Sequence, residues 1–405
     1  MQNFDLNKEI PRIDLMTKDR VPKATVHTTS ASPVPAPYSP PATSMTMDHL
    51  KSNYDAIVNA RAIFYPVAYQ FLKELGRGRQ GRVFLGLRQG ARGCITEQAI
   101  KVFDPQIYRN TEEYWTDMGR IAFQISKLQR LQSPNLVAMS SYEETCGIGY
   151  VQLEAIDGID LGRLLSRDHY EYAKKKSSPK EWTKVTKTIF RLKGDRVSLQ
   201  PGMAIYILRS VLRGLERLHA INFLHSDIKP ENIMIDRLGN IKVVDLGRAV
   251  MVGERVSFLL GSPLYMAPEI HRREVGGIQS DFYSVGLVAL EMLRGEKLAH
   301  NDAVNESDLL RLKLSLQGCL QDILPSHVLA NKDLVGILRR FIEPDPVARF
   351  SSAQEAEVGE GGLRVIDRQL VQAGLASEYG RDLSDYLSKL VNENTQRIEL
   401  ESEND

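Results

Sequence analysis

The sequence predicts an α+β protein in two lobes, a small β-rich one followed by a larger, mainly α-helical one. Between about 68 and 103, short β-type runs alternate with glycine, as in Val83-Phe84-Leu85-Gly86-Leu87 and Gln98-Ala99-Ile100-Lys101-Val102-Phe103. Beyond about 160, apolar residues recur at helical spacing, with Ile207, Val211, Leu215 and Leu218 on one face of 203–219. A chain of 405 residues is long enough for two lobes around sizeable cores.

Taken in order, residues 1–47 are rich in Ser, Thr and Pro, too poor in apolar surface to offset ordering entropy, and read as a disordered tail. Residues 48–67 read as a linker or an N-terminal helix. The stretch 112–132 reads as a helix that ends before Ser133-Pro134-Asn135, with Phe123, Leu128 and Leu131 among its apolar positions. Residues 166–200, containing Lys174-Lys175-Lys176, are polar and basic, and read as an insertion or solvated excursion. A later helix runs from about 281 through Leu293 and is stopped by Arg294-Gly295. Residues 353–405 form a C-terminal extension, helical and then acidic, and no internal repeat is visible.

Hydrophobic residues (42%) and charged residues (25%) stand at ordinary globular levels. The 52 Lys and Arg nearly cancel the 51 Asp and Glu, so no global field favours nucleic acid or an anionic membrane. Cys94, Cys146 and Cys319 are scattered, odd in number and without metal-ligand spacing, which fits a reducing compartment. The N-terminus lacks a basic region followed by an apolar one, and no run reaches the length of a membrane span. The expectation is a soluble cytoplasmic protein, with export to a host cell as an effector left open and oligomeric state undetermined.

Four segments carry candidate chemistry. Gly76-Arg77-Gly78-Arg79-Gln80-Gly81-Arg82-Val83 lies between β-type runs with no helix after it, so it suits a hairpin folded over phosphates rather than a dinucleotide turn. Ala99-Ile100-Lys101-Val102 sets one Lys in an apolar strand. Such a Lys is usually outward-facing, but after a phosphate-type hairpin it is placed to reach the α- and β-phosphates. His225-Ser226-Asp227-Ile228-Lys229-Pro230-Glu231-Asn232 and Asp245-Leu246-Gly247 put carboxylates and an amide at the ends of two apolar runs. Taken singly, Asp and Asn there are ordinary turn residues.

With Ala267-Pro268-Glu269 after them, these motifs occur in the order of the eukaryotic-like Ser/Thr protein kinase superfamily, which the chain resembles from about Phe71 to Phe350. The resemblance implies the two-lobed protein kinase fold over 68–352, with a small lobe of one main helix over about 68–156 and a large lobe over about 157–352. It implies ATP and Mg²⁺ as cofactors and a protein substrate with a Ser or Thr acceptor. Asp227 then matches the catalytic Asp that orients the acceptor hydroxyl, Lys229 the Lys on the γ-phosphate, and Asn232 and Asp245 the two Mg²⁺ ligands. Hard Mg²⁺ takes oxygen ligands and keeps waters, so one carboxylate and one amide oxygen suffice beside phosphates. Gly76, Gly78, Gly81, Val83, Ala99 and Lys101 would line ATP. Leu153 would be the gatekeeper, Glu154 and Ile156 would offer main-chain groups to adenine, and Asp160 would reach the ribose. Glu269 should pair with Arg349, and Asp281 should brace the catalytic loop.

Three positions depart from the family's commonest pattern. Ser226 replaces an Arg that clasps a phosphate on the activation segment, so activity without that phosphate is implied. Ser257 is the natural phosphosite of that segment, and Arg248 and Arg255 read as solvated. Leu246 replaces Phe. Gln124 stands where a Glu would pair with Lys101; its amide oxygen can accept from Lys101, and Gln124→Glu is then expected to leave activity equal or raised. The alternative function is a pseudokinase scaffold or allosteric binder.

Overall fold

A computed structural model describes residues 45–64, 67–254, 263–299 and 305–402. The tail through residue 44, the phosphosite Ser257 with Arg255, and the last three residues of the acidic end lie outside the described residues. The small lobe is a six-stranded antiparallel sheet in the order β1-β2-β3-β4-β6-β5. Its strands are β1 (Ala62–Ile63), β2 (Tyr69–Gly78), β3 (Gly81–Gln89), β4 (Ile95–Phe103), β5 (Met139–Thr145) and β6 (Ile148–Leu153).

Helix α1 (Met47–Ala60) starts at Thr46, whose side chain caps the His49 N–H, and buries Leu50, Tyr54 and Ile57 against the lobe. The Asn53 amide donates to Cys146 O at 2.8 Å, fixing this helix to the β5–β6 turn. Helix α2 (Thr111–Leu128) buries Tyr114, Met118, Ile121, Ile125 and Leu128, one stripe at spacings of three and four. Glu112 and Glu113 sit in its first turn, where carboxylates suit the helix dipole. Phe123, counted among the apolar positions of this helix, is 50% exposed. It lies two residues past Ile121, on nearly the opposite side of the helix from that stripe.

The large lobe begins with β7 (Gly158–Asp160) and α3 (Leu161–Leu164) and is built around α6 (Pro201–His219) and the almost wholly buried α8 (Ile278–Arg294). Pro201 opens α6, where its missing N–H costs nothing, and Gly295 ends α8 in the left-handed region at φ 75°. The stretch 166–200 is no solvated excursion. It folds as α4 (Arg167–Lys176), α5 (Pro179–Thr188) and the hairpin β8 (Phe190–Lys193)–β9 (Arg196–Leu199). Tyr170, Trp182 and Phe190 pack ring against ring and supply the core that the surrounding lysines conceal in composition.

The short strands β10 (Phe223–Leu224), β11 (Ile233–Asp236), β12 (Ile241–Val243) and β13 (Val250–Met251) carry the loops of the site. Helices α7 (Pro268–His271), α9 (Glu306–Ser315), α10 (Leu320–Ile323), α11 (Ser326–Leu329), α12 (Lys332–Phe341), α13 (Ala353–Val358), α14 (Arg364–Gln372) and α15 (Tyr379–Ser402) complete the lobe. Helix α15 docks beside α5, and Ser384 Oγ donates to Arg237 O at 2.8 Å. Among the described residues, no helix is long and apolar enough to cross a membrane.

Candidate active site

Strand register brings the two polar loops to one place. β11 and β12 pair antiparallel with Ile233 opposite Val243, so Asn232 and Val244 leave the pair at the same end. Val244 N–H donates to Asn232 O at 2.9 Å, and Asp245 follows directly. The turn between the strands closes through Asp236, whose carboxylate accepts the N–H of Leu238 and Asn240, and through Gly239 at φ 79°. The ligand pair expected from sequence therefore stands side by side because of one hairpin.

Asp227 lies in the loop between β10 and β11, its side chain 1% exposed. Asn232 Nδ2 donates to Asp227 O at 2.7 Å and to its carboxylate at 3.1 Å, which turns the Asn232 amide oxygen the other way. Lys229 Nζ stands 3.0 Å from the same carboxylate. The loop backbone is held by Asp281 of α8, which accepts the N–H of His225 and of Ser226, each at 2.9 Å, and the His219 ring at 2.8 Å. Burial raises the Asp281 carboxyl, but the hydrogen bond and charge of His219, with His225, outweigh it and hold the group below its usual value. Ser226 sits at φ 65°, a left-handed conformation that this pair of bonds imposes on a non-glycine residue.

Lys101 comes from β4, opposite Val83 on one side and Val151 on the other. Its Nζ meets Asp245 at 2.5 Å and the Gln80 amide oxygen at 3.4 Å. At Asp245 partial burial raises the pKa, yet the charge and hydrogen bond of Lys101, helped by Arg248 and His225, hold it down to about 2. Gln124 does not serve Lys101. It is buried on α2, donates through Nε2 to Ala249 O, and leaves Oε1 buried without a hydrogen-bond partner. The expected Lys101–Gln124 pairing fails because the Gln124 donor end is committed to the segment after Asp245. Arg248 also departs from expectation. It is not solvated: its side chain is 12% exposed and stands 3.5 Å from the Asp227 carboxylate.

The Gly-rich hairpin pairs Gly78 with Gly81. Gly81, at φ 145°, is required, because a Cβ there would stand 2.0 Å from Val102 O. Beside Gly76 and Gly78 a Cβ would meet nothing within 4 Å, so this side of the hairpin is open. Ala99 pairs directly with Leu153 at the end of β6. Beyond it, the Glu154 N–H donates to Ala138 O at 2.9 Å and its carboxylate pairs with Lys242, leaving the Glu154 carbonyl as its main-chain group for a ligand. Ile156 follows before β7, and Asp160 caps α3 by accepting the Arg163 N–H at 2.8 Å. Burial raises the Asp160 carboxyl despite that bond.

Glu269 and Arg349 form a buried bidentate pair at 2.8 and 2.9 Å. Sequence reasoning missed Gln80 on Lys101, Arg248 on Asp227, and a buried Lys313 beneath Pro263–Met266. Gln80 lies inside the quoted Gly-rich motif and Arg248 directly follows Asp245-Leu246-Gly247; Lys313 gives itself away only as a cation on the stripe Leu309, Lys313, Leu316. The Asn232 and Asp245 oxygens suit a hard divalent cation, and no cluster of three His, Cys, Asp or Glu fit for a metal exists among the described residues.

Residues 69–358 match the family described as protein kinase domain. The chain belongs to the protein kinase family. Kinase domains of this kind use ATP and a divalent metal ion and act on proteins. The chain is 30% identical over 297 residues to the serine/threonine-protein kinase PrkC of Bacillus subtilis, covering 71% of this kinase and 39% of that protein. It is 26% identical over 234 residues to the probable serine/threonine-protein kinase PknB of Lactococcus lactis, 56% of this chain and 32% of that one. A putative ribosomal protein S6 kinase alpha-1 of Caenorhabditis elegans is 27% identical over 258 residues, 62% of this chain and 28% of its own. The chain thus spans well under half the length of these relatives.

Proposed function

We propose that this kinase transfers the γ-phosphoryl group of ATP, with Mg²⁺, to Ser or Thr hydroxyls of a protein substrate. The observation that supports the reading most is the single cluster in which Asp227 meets Lys229, Asn232 and Arg248 while Asp245 meets Lys101. In this reading Asp227 orients the acceptor hydroxyl, Lys229 contacts the phosphoryl group in transit, and Lys101 holds the α- and β-phosphates. Asn232 and Asp245 hold Mg²⁺, whose charge neutralisation is a main part of phosphoryl-transfer catalysis. Gly76, Gly78, Gly81, Val83, Ala99 and Leu153 enclose the nucleotide, Glu154 and Ile156 offer main-chain groups to adenine, and Asp160 faces the ribose.

The test is purified protein with labelled ATP and Mg²⁺ and a generic basic protein substrate, beside Asp227→Asn. Label is expected on Ser or Thr, with turnover reduced by about a hundredfold or more in Asp227→Asn. Equal labelling by both proteins would overturn the proposal.

A further inference from the structure

We propose that Lys313 is the positioning residue that holds the protein-docking loop in its substrate-receiving shape, doing from beneath what a phosphate clasp cannot do here because Ser226 carries no charge. This rests on the kinase reading of the preceding subsection. Lys313 lies on α9 and is 0% exposed. Its Nζ donates to Pro263 O at 2.5 Å and to Met266 O at 2.6 Å, and stands 2.8 Å from His271 Nε2 on α7. Between those carbonyls, Tyr265 O accepts from Ser284 Oγ at 2.8 Å and the Tyr265 hydroxyl donates to Glu291 at 2.5 Å. Three main-chain carbonyls within four residues are thus taken by side chains of α8 and α9.

The chemistry explains why a lysine stands here. Buried carbonyls need donors, and an ammonium supplies three N–H groups from one atom. Burial and the Lys313 charge push His271 down to about 4, and its Nε2, 3.0 Å from Pro263 O and 2.8 Å from Lys313 Nζ, joins the ring to the same carbonyl that Lys313 holds. Among the described residues no carboxylate pairs with Lys313; Glu269, which acts on it through space, is committed to Arg349. Burial accordingly lowers Lys313 to about 7. Burying an amino group of this kind without a paired carboxylate is costly, so a site that keeps one and aims two of its contacts at carbonyls of a single loop is built to shape that loop.

The experiment compares wild type, Lys313→Met (similar length, no donor) and Lys313→Arg in the full chain, each checked for a cooperative melt. Expected for Lys313→Met is a KM for protein substrate at least tenfold higher, nucleotide affinity within twofold of wild type, and partial recovery in Lys313→Arg. Amide hydrogen exchange over 263–274 should quicken at least tenfold in Lys313→Met and stay unchanged in β4 and β12. An unchanged substrate KM with unchanged exchange would overturn the proposal, as would equal loss of nucleotide affinity. If wild type transfers no phosphate, the kinase reading falls, while exchange still decides whether Lys313 holds the loop. Should Lys313→Met fail to fold, Lys313→Gln, which keeps one shorter amide donor, takes its place with the same readouts.

Discussion

At Asp245 burial works against ionisation and Lys101 for it, and the cation wins by enough to hold the carboxyl at about 2. A folded-state value below the ordinary 3.8 means the pair stabilises the protein above about pH 4 and loses that contribution as pH falls toward 2. An acid limb in a pH–rate profile above pH 5 therefore belongs to another group, and Asp245→Asn should leave the position of any such limb unmoved while lowering turnover by orders of magnitude. Gln124 carries a prediction of opposite sign to the one its sequence position suggests. Gln124→Glu exchanges the N–H donor aimed at Ala249 O for a buried acceptor. The expected result is a loss of about 1–3 kcal/mol in denaturant unfolding and lower, not higher, turnover. Equal stability would show that the side chain swings to Lys101 after all.

Among elements, the loop between β10 and β11 is held less by its own turns than by Asp281 of α8. Asp281→Ala leaves the buried His225 N–H and the part-buried Ser226 N–H without their acceptor, at a cost of about 1–3 kcal/mol for the buried one and less for the other. Because the bonds fix the loop that carries Asp227, kcat should fall more than the KM for ATP rises. The activation segment makes the complementary case. With Ser226 in the place of an arginine, a phosphate on Ser257 finds no charge at that position to clasp. Ser257→Ala and phosphatase-treated wild type should both keep substantial kcat. Loss of nearly all kcat in both would mean that phosphate switches the segment.

For the molecule as a whole, Lys313 couples docking-loop order to stability. Its pKa is about 7 in the folded protein against an ordinary 10.5, so between those values the unfolded chain binds the extra proton. Stability should rise with pH from about 7 toward 9.5, and Lys313→Met should flatten that rise. The facing groups do not cancel it: His271 is neutral there, and Glu269 stays paired with Arg349. Above about pH 10 the buried Tyr265 and Tyr283, whose hydroxyls burial raises, turn the slope the other way. Thermal melts across this range in both proteins measure the difference.

The β-rich first part, the helical second part and the Gly-rich hairpin were readable in the sequence because alternation, helical spacing and glycine are patterns of close neighbours. The grouping of Asp227, Asn232 and Asp245 was instead implied by the resemblance of their motifs to a known family. Alternation and glycine set the hairpins, and the register of β11 on β12 then carries Asn232 and Asp245 to one end. Helix α2 was readable in extent but not in facing, since Phe123 fits an apolar count while its angular position puts it in water. The core of 166–200 was hidden because three aromatic rings weigh little in a composition dominated by lysine. The partners of Lys101, Arg248 and Lys313 were decided only by tertiary structure. Each meets groups from elements distant in sequence or across a turn, and side-chain rotation and helix placement choose among several acceptors that sequence leaves equivalent. Which carbonyl receives the Gln124 amide, and which cation faces Asp227, are decisions made by packing.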